Sequence, residues 1–102
     1  MMPLVTMKDI LPAARRAGHA IGAFNIANFE TAGAVITAAE AEQQPVIMQI
    51  YHRLMAHPRI GALSAMMRRM AEDSAVPVAV HLDHGASLEQ VRQALDLGFS
   101  SV

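Results

Sequence analysis

The sequence contains no cysteine and no tryptophan, and aromatic residues make up only 4% of it. Without cysteine there is no disulfide framework and no thiolate metal site. Lysine is nearly absent too: Lys8 is the only one, and it lies in the first predicted helix. A Schiff-base mechanism needs a lysine in the pocket, and this segment offers none. Charge of one sign is also missing. The net charge is -1, with Lys and Arg scattered, so no basic face is available for a nucleic acid or an anionic membrane. No apolar run approaches the roughly 18 residues of a membrane span. Met1-Met2-Pro3-Leu4-Val5-Thr6, followed by Lys8 and Asp9, lacks the apolar stretch of a signal peptide. There is no G-x-G-x-x-G or Walker-type loop and no G-x-S-x-G elbow. These absences point to a cytoplasmic α/β domain.

What is present is a 53% hydrophobic chain of 102 residues, rich in Ala and Met. That suffices for one core but not for two domains, and small side chains suit close packing of helices on a sheet. Thr6 is expected to cap a helix with Ile10, Leu11, Ala14 and Ala17 as its stripe and Gly18 as its stop. Pro12 lies inside it, which predicts a kink or a late start. Ala20–Ile26 reads as a buried strand. Asn28 caps a second helix with Val35, Ile36 and Ala39 inward. Pro45 opens a second strand, Val46–Ile50. A loop with Tyr51, His52 and His57 leads to Pro58, suited to the first turn of a helix carrying Ile60, Leu63, Met67 and Met70. Val76–Leu82 is a third strand. Ser87-x-x-Gln90 has a capping-box pattern, followed by Leu88, Val91 and Leu95 at helical spacing. Gly98 ends that helix, and Phe99–Val102 begins another element.

Continuous apolar strands separated by helices imply a parallel sheet covered by helices. The pattern fits an open doubly wound sheet or a (β/α)8 barrel cut short, since a barrel needs about 250 residues.

The richest cluster is His81-Leu82-Asp83-His84-Gly85, at the end of the third strand. In parallel α/β folds the C-terminal strand ends carry the active site. Alternation places His81 and Asp83 on one face. His84 falls where the chain turns, and Gly85 tolerates the turn. A neutral imidazole is a good zinc ligand and a carboxylate can transfer protons. The spacing leaves a structural alternative open: His81 and Asp83 as a buried ion pair, with His84 merely exposed. Zinc takes about three or four protein ligands, more than this motif supplies. His52 and His57 read as solvated loop histidines rather than ligands, and His19 as structural.

Pro3-Leu4-Val5-Thr6, Gly22-Ala23-Phe24-Asn25-Ile26-x-Asn28, Pro45-Val46-Ile47-Met48-Gln49, His81-Leu82-Asp83-His84-Gly85 and Leu97-Gly98-Phe99-Ser100-Ser101-Val102 together resemble the N-terminal part of class II fructose- and tagatose-bisphosphate aldolases. The resemblance covers the whole chain. It implies α/β architecture as the N-terminal portion of a (β/α)8 barrel, about three strand–helix units and the start of a fourth strand, so that residues 1–102 form a single incomplete barrel domain. It implies a zinc ion, with His84 as a ligand and the remaining ligands beyond residue 102. Asp83 resembles the catalytic acid/base, His81 a residue supporting the ligands or lining the pocket, and Asn25 and Gln49 substrate-binding residues. The implied reaction is reversible cleavage of a ketose bisphosphate to dihydroxyacetone phosphate and an aldehyde phosphate. Zinc stabilises the enediolate as a Lewis acid, and Asp83 takes the C4 hydroxyl proton. The implied partners are small sugar phosphates rather than nucleic acid or membrane, and the whole enzyme is expected to be a homo-oligomer. The segment alone is expected to be inactive. One departure stands out: Tyr51-His52-Arg53 is bulkier than the small residue, such as Ser, that the family often carries after Gln49. Two other readings accompany the aldolase: a non-catalytic remnant or small binding module, and another barrel-type metal enzyme such as a hydrolase.

Overall fold

The computed structural model describes residues 3–102. Met1 and Met2, part of the stretch read above as lacking a signal peptide, lie outside the described residues. Helix α1 (Met7–Ala17) begins immediately after Thr6, so the late start expected from Pro12 does not occur and Pro12 sits within the helix. Thr6 and Asp9 form a reciprocal cap: Asp9 Oδ2 accepts from the Thr6 amide at 2.9 Å and from its hydroxyl at 3.0 Å. Gly18 closes the helix in the left-handed region at φ 79°. Only Ile10 and Ala14 of the expected stripe are buried; Leu11 and Ala17 face outward.

Strand β1 (Ala23–Asn25) is three residues long and exposed, not the seven-residue buried strand expected. It pairs only with β2, so it is an edge strand with little to cover it. Helix α2 (Phe29–Glu42) is capped by Asn28, whose Oδ1 accepts from the Thr31 amide at 2.8 Å. Strand β2 (Val46–Tyr51) extends one residue past the expectation. A 3-10 turn (His52–Ala56) follows, then α3 (Ile60–Asp73). Pro58 precedes that helix instead of occupying its first turn. Strand β3 (Val78–Asp83) leads to α4 (Leu88–Asp96).

The three strands form a parallel sheet in the order β1-β2-β3. Asn25 pairs with Gln49, Gln49 with His81, and Tyr51 with Asp83. At the far edge of β3, Leu4 bridges Val78 and Ser101 bridges His81, both in parallel. The Ser101 bridge puts the residues expected to start a fourth strand beside β3, though only as an isolated bridge.

Alternation divides β2 and β3 between two environments. Val46, Met48 and Ile50 with Val78, Val80 and Leu82 enter the main core, with Ile36, Met67 and Ala71 from the helices. Met48, Ile50, Met67 and Val80 are fully buried, each contributing roughly 1.5–3 kcal/mol of hydrophobic stabilisation. The opposite face is apolar at its lower end, where Ile47 and Ala79 pack under Ile10, Val5 and Ile21. Above that layer it is polar: Asn25, Gln49, Tyr51, His81 and Asp83. Helix α1 thus covers one end of this face and leaves the C-terminal strand ends open. The stripe expected for α4 is corrected. Ala94 is its buried residue, Val91 is partly buried, and Leu88 and Leu95 are exposed. No described helix is long and apolar enough to cross a membrane.

Candidate active site

The polar layer begins with an amide pair. Asn25 and Gln49 are register partners on adjacent strands, and Gln49 Nε2 donates to Asn25 Oδ1 at 2.9 Å. Each amide thereby holds the other's orientation and keeps hydrogen-bonding capacity for a ligand. His81, the register partner of Gln49 on the other side, is half-buried. Its Nδ1 lies 2.8 Å from Ser101 Oγ. Burial pushes the His81 pKa below the ordinary histidine value, and the Asp83 carboxylate opposes that shift. The ion pair weighed between His81 and Asp83 is not what the side chains make: His81 turns to Ser101, and the nearer imidazole to Asp83 is that of His84.

Asp83 ends β3 on the open face. His84 follows in the left-handed region, φ 69°, and Gly85 continues there at φ 75°. The Gly85 amide donates to the Asp83 carbonyl at 3.0 Å. This reversal brings the His84 imidazole back over the strand ends, where Nε2 stands 3.6 Å from Asp83 Oδ2. A histidine at positive φ costs of order 1–3 kcal/mol, and such conformations cluster at functional sites. The structure therefore brings Asn25, Gln49, His81, Asp83 and His84 to one end of one sheet face.

The sequence singles out Tyr51-His52-Arg53 for its bulk after Gln49, but not the ring contacts that complete the rim. Tyr51, His52 and His84 form a cluster of three rings. The Tyr51–His52 centroids are 4.6 Å apart, Tyr51–His84 6.0 Å and His52–His84 5.6 Å, all edge to face. His52 is partly buried rather than solvated, and its Nδ1 is buried without a partner. His57 is exposed, and its Nδ1 accepts from the Arg59 amide. His19 lies at the other end of the molecule beside Ala20. Gln90 and Gln93 of α4 anchor the turn after β2 by donating to the carbonyls of His52 and Met55, each at 3.0 Å. Gln90 makes only half of the expected capping arrangement: its amide donates to Ser87 Oγ, while its Oε1 accepts from Ala86. The signal for Tyr51 was present in the sequence, since it lies two residues beyond Gln49 on the same strand face. The contact between His52 and His84 depends on the backbone reversal, which has no such period.

The donor set suits a metal only in part. His84 offers an exposed imidazole beside a carboxylate. Among the described residues, no group of three or more His, Cys, Asp or Glu side chains is gathered to hold a metal ion. The described residues thus present a donor beside a carboxylate but do not assemble a complete metal site.

Comparison with known proteins gives a consistent result. The chain is 45% identical, over 104 aligned residues and 99% of its length, to the 6-phospho-5-dehydro-2-deoxy-D-gluconate aldolase of Bacillus velezensis, of which it covers 36%. It is 46% identical over 99 residues to the fructose-bisphosphate aldolase of Thermus caldophilus, covering 97% of this chain and 32% of that protein. Among solved structures, the YdjI aldolase from Escherichia coli K12 superposes with a TM-score of 0.88 at 33% identity, over 94% of this chain and 37% of that one. The chain therefore spans about a third of the length of these relatives. The family model for class II fructose-bisphosphate aldolases matches residues 5–102, and the chain belongs to that family.

Proposed function

We propose that this chain contributes the first strand–helix units of a metal-dependent aldolase, which cleaves a sugar phosphate reversibly between the carbons α and β to its ketone. The observation that carries this reading is the convergence of Asp83 and His84 above the Asn25–Gln49 pair, at the C-terminal ends of parallel strands. Active sites of parallel α/β barrels form at that end.

In this reading His84 is one zinc ligand, and the others come from chain outside residues 1–102. Zinc, when bound, supplies Lewis-acid polarisation of the substrate's ketone. The chain's own residues do the rest. Asp83 accepts the proton of the hydroxyl on the carbon that becomes the aldehyde, and returns it in the condensation direction. Asn25 and Gln49 hydrogen-bond the substrate's oxygens from below. His81, held by Ser101, lines the same face below Asp83. The substrate class is a phosphorylated ketose or keto sugar acid that yields dihydroxyacetone phosphate, in a cytoplasmic homo-oligomer.

The test is a retro-aldol assay on the metal-loaded product of the complete reading frame. Fructose 1,6-bisphosphate and 6-phospho-5-dehydro-2-deoxy-D-gluconate are supplied in turn, and released dihydroxyacetone phosphate is measured. Release from at least one, abolished by a chelator, is expected. Turnover of neither substrate would reject the reading.

A further inference from the structure

Among the described residues, Tyr51 is the one large side chain on the open strand face that the proposed chemistry leaves without a task. It is the last residue of β2 and the register partner of Asp83. Neighbouring parallel strands lie about 4.8 Å apart and side chains alternate, so Tyr51 and Asp83 rise side by side on the face that carries Gln49 and His81. The ring is bordered by two others. It meets the His52 ring edge to face at 4.6 Å and the His84 ring at 6.0 Å and 81°, contacts that hold aromatic groups in defined orientations. His52 is in turn fixed through its carbonyl by Gln90. Yet Tyr51 remains 40% exposed. Part of the ring meets the two imidazoles, and the rest is open to solvent beside Asp83, its register partner.

We propose that Tyr51 is a specificity-determining residue, a fixed wall beside Asp83 and His84 that limits the size of the aldehyde half of the substrate. This rests on the aldolase reading and sharpens it. Asp83 works at the hydroxyl of the carbon that becomes the aldehyde, so the side chain standing next to Asp83 borders that half. The Asn25–Gln49 pair lies deeper on the strands and is not displaced by the ring.

Two aldol substrates separate this effect from overall activity. Fructose 1,6-bisphosphate and 6-phospho-5-dehydro-2-deoxy-D-gluconate share the same half, a ketone flanked by a hydroxylated carbon and a phosphate ester. Their cleavage breaks one carbon–carbon bond, moves the hydroxyl proton to the base and leaves the electron pair on the carbon next to the ketone; a proton delivered to that carbon then yields dihydroxyacetone phosphate from both. The aldehyde products differ. One is a three-carbon hydroxyaldehyde phosphate; the other is a three-carbon aldehyde ending in a carboxylate, with no phosphate and one hydroxyl fewer. A rigid wall penalises the first more than the second.

The experiment measures kcat/KM for both compounds with the metal-loaded product of the complete reading frame, as wild type, Tyr51→Ala, Tyr51→Val and Tyr51→Phe. Circular dichroism and metal content check that each variant is folded and loaded. Tyr51→Val keeps a β-branched residue suited to a strand end, should the alanine weaken the fold. In both small variants, the preference for the carboxylate-ended substrate over fructose 1,6-bisphosphate should fall by roughly tenfold or more, the scale on which pocket shape discriminates. Tyr51→Phe keeps the ring and should keep the wild-type ratio. An unchanged ratio in folded, loaded Tyr51→Ala and Tyr51→Val would overturn the proposal while leaving the aldolase reading in place. A Tyr51→Phe ratio that moves as far as the alanine's would overturn it too, because the hydroxyl and not the wall would be the determinant. A wild-type protein that cleaves neither compound would overturn both.

Discussion

His84 occupies a backbone region that few side chains tolerate, φ 69°, and Gly85 follows at 75°. The pair turns the chain back so sharply that the residue after the strand faces the same rim as the strand's last carboxylate. Sequence spacing could place His81 and Asp83 on one face because strand alternation is a fixed period. It could not show which imidazole would approach Asp83, since the reversal follows no period. Nor could it show the partner of His81, because Ser101 meets it only through the bridge at the far edge of β3. His81 yields a prediction with a sign. Burial lowers its pKa in the folded state, so the unfolded chain binds the proton more readily. The associated stability is fully present above the ordinary histidine value of about 6.5. It declines as the pH falls from there through the folded pKa. An NMR titration of the histidine ring protons, with His81 assigned from a His81→Gln variant, should find this ring titrating below the ordinary value. A midpoint at or above that value would contradict the burial argument.

At the scale of elements, the loop between β1 and α2 decides how Asn25 is presented. Asn28 and Thr31 cap α2 reciprocally: Asn28 Oδ1 takes the Thr31 amide, and Thr31 Oγ1 takes the amides of Ala27 and Asn28 at 3.0 and 3.1 Å. Asn28→Ala should destabilise the protein by about 1 kcal/mol, a typical loss for an N-cap side chain. Urea unfolding measures it, and a variant as stable as wild type would show that the cap carries no weight. The cap was legible in the sequence, as were the order and type of the elements and most of their inward residues, because capping chemistry and helical spacing are local. The burial of β1 was not. Its apolar run Ala20–Ile26 looks like an interior strand, but burial depends on what lies across its free edge. Gly22 and Phe24 illustrate this: the Phe24 ring folds over Gly22 and stays 52% exposed. The facing of β2 and β3 was equally hidden. A strand apolar along its length gives no alternation to read, so sequence alone leaves open which face Ile26, Met48 and Val80 take. In the fold those three are buried in the helix-covered core.

The whole molecule has one finished side and one unfinished side. Helices α2 and α3 seal the main core. By contrast, the outer edge of β1 is unpaired among the described residues. Beside it, Phe24, Val35, Ala38 and Pro45 line an open apolar groove of ≈ 500 Å³. Free edges and apolar grooves favour association. Residues 1–102 expressed alone should therefore self-associate, hold zinc weakly and fail to cleave sugar phosphates, as light scattering, metal analysis and the retro-aldol assay would report. A monomer with stoichiometric zinc and turnover would contradict that.

The central claim is that the rim at the end of β3 divides its labour, with His84 holding the metal and Asp83 moving the proton. It is tested most directly by metal analysis and turnover of two variants of the complete, metal-loaded gene product. His84→Ala should lose zinc and activity together. Asp83→Asn should keep its zinc while turnover falls by roughly 10²–10⁴-fold, the range for losing an acid/base group. Full zinc occupancy in His84→Ala, or near wild-type turnover in Asp83→Asn, would contradict the account.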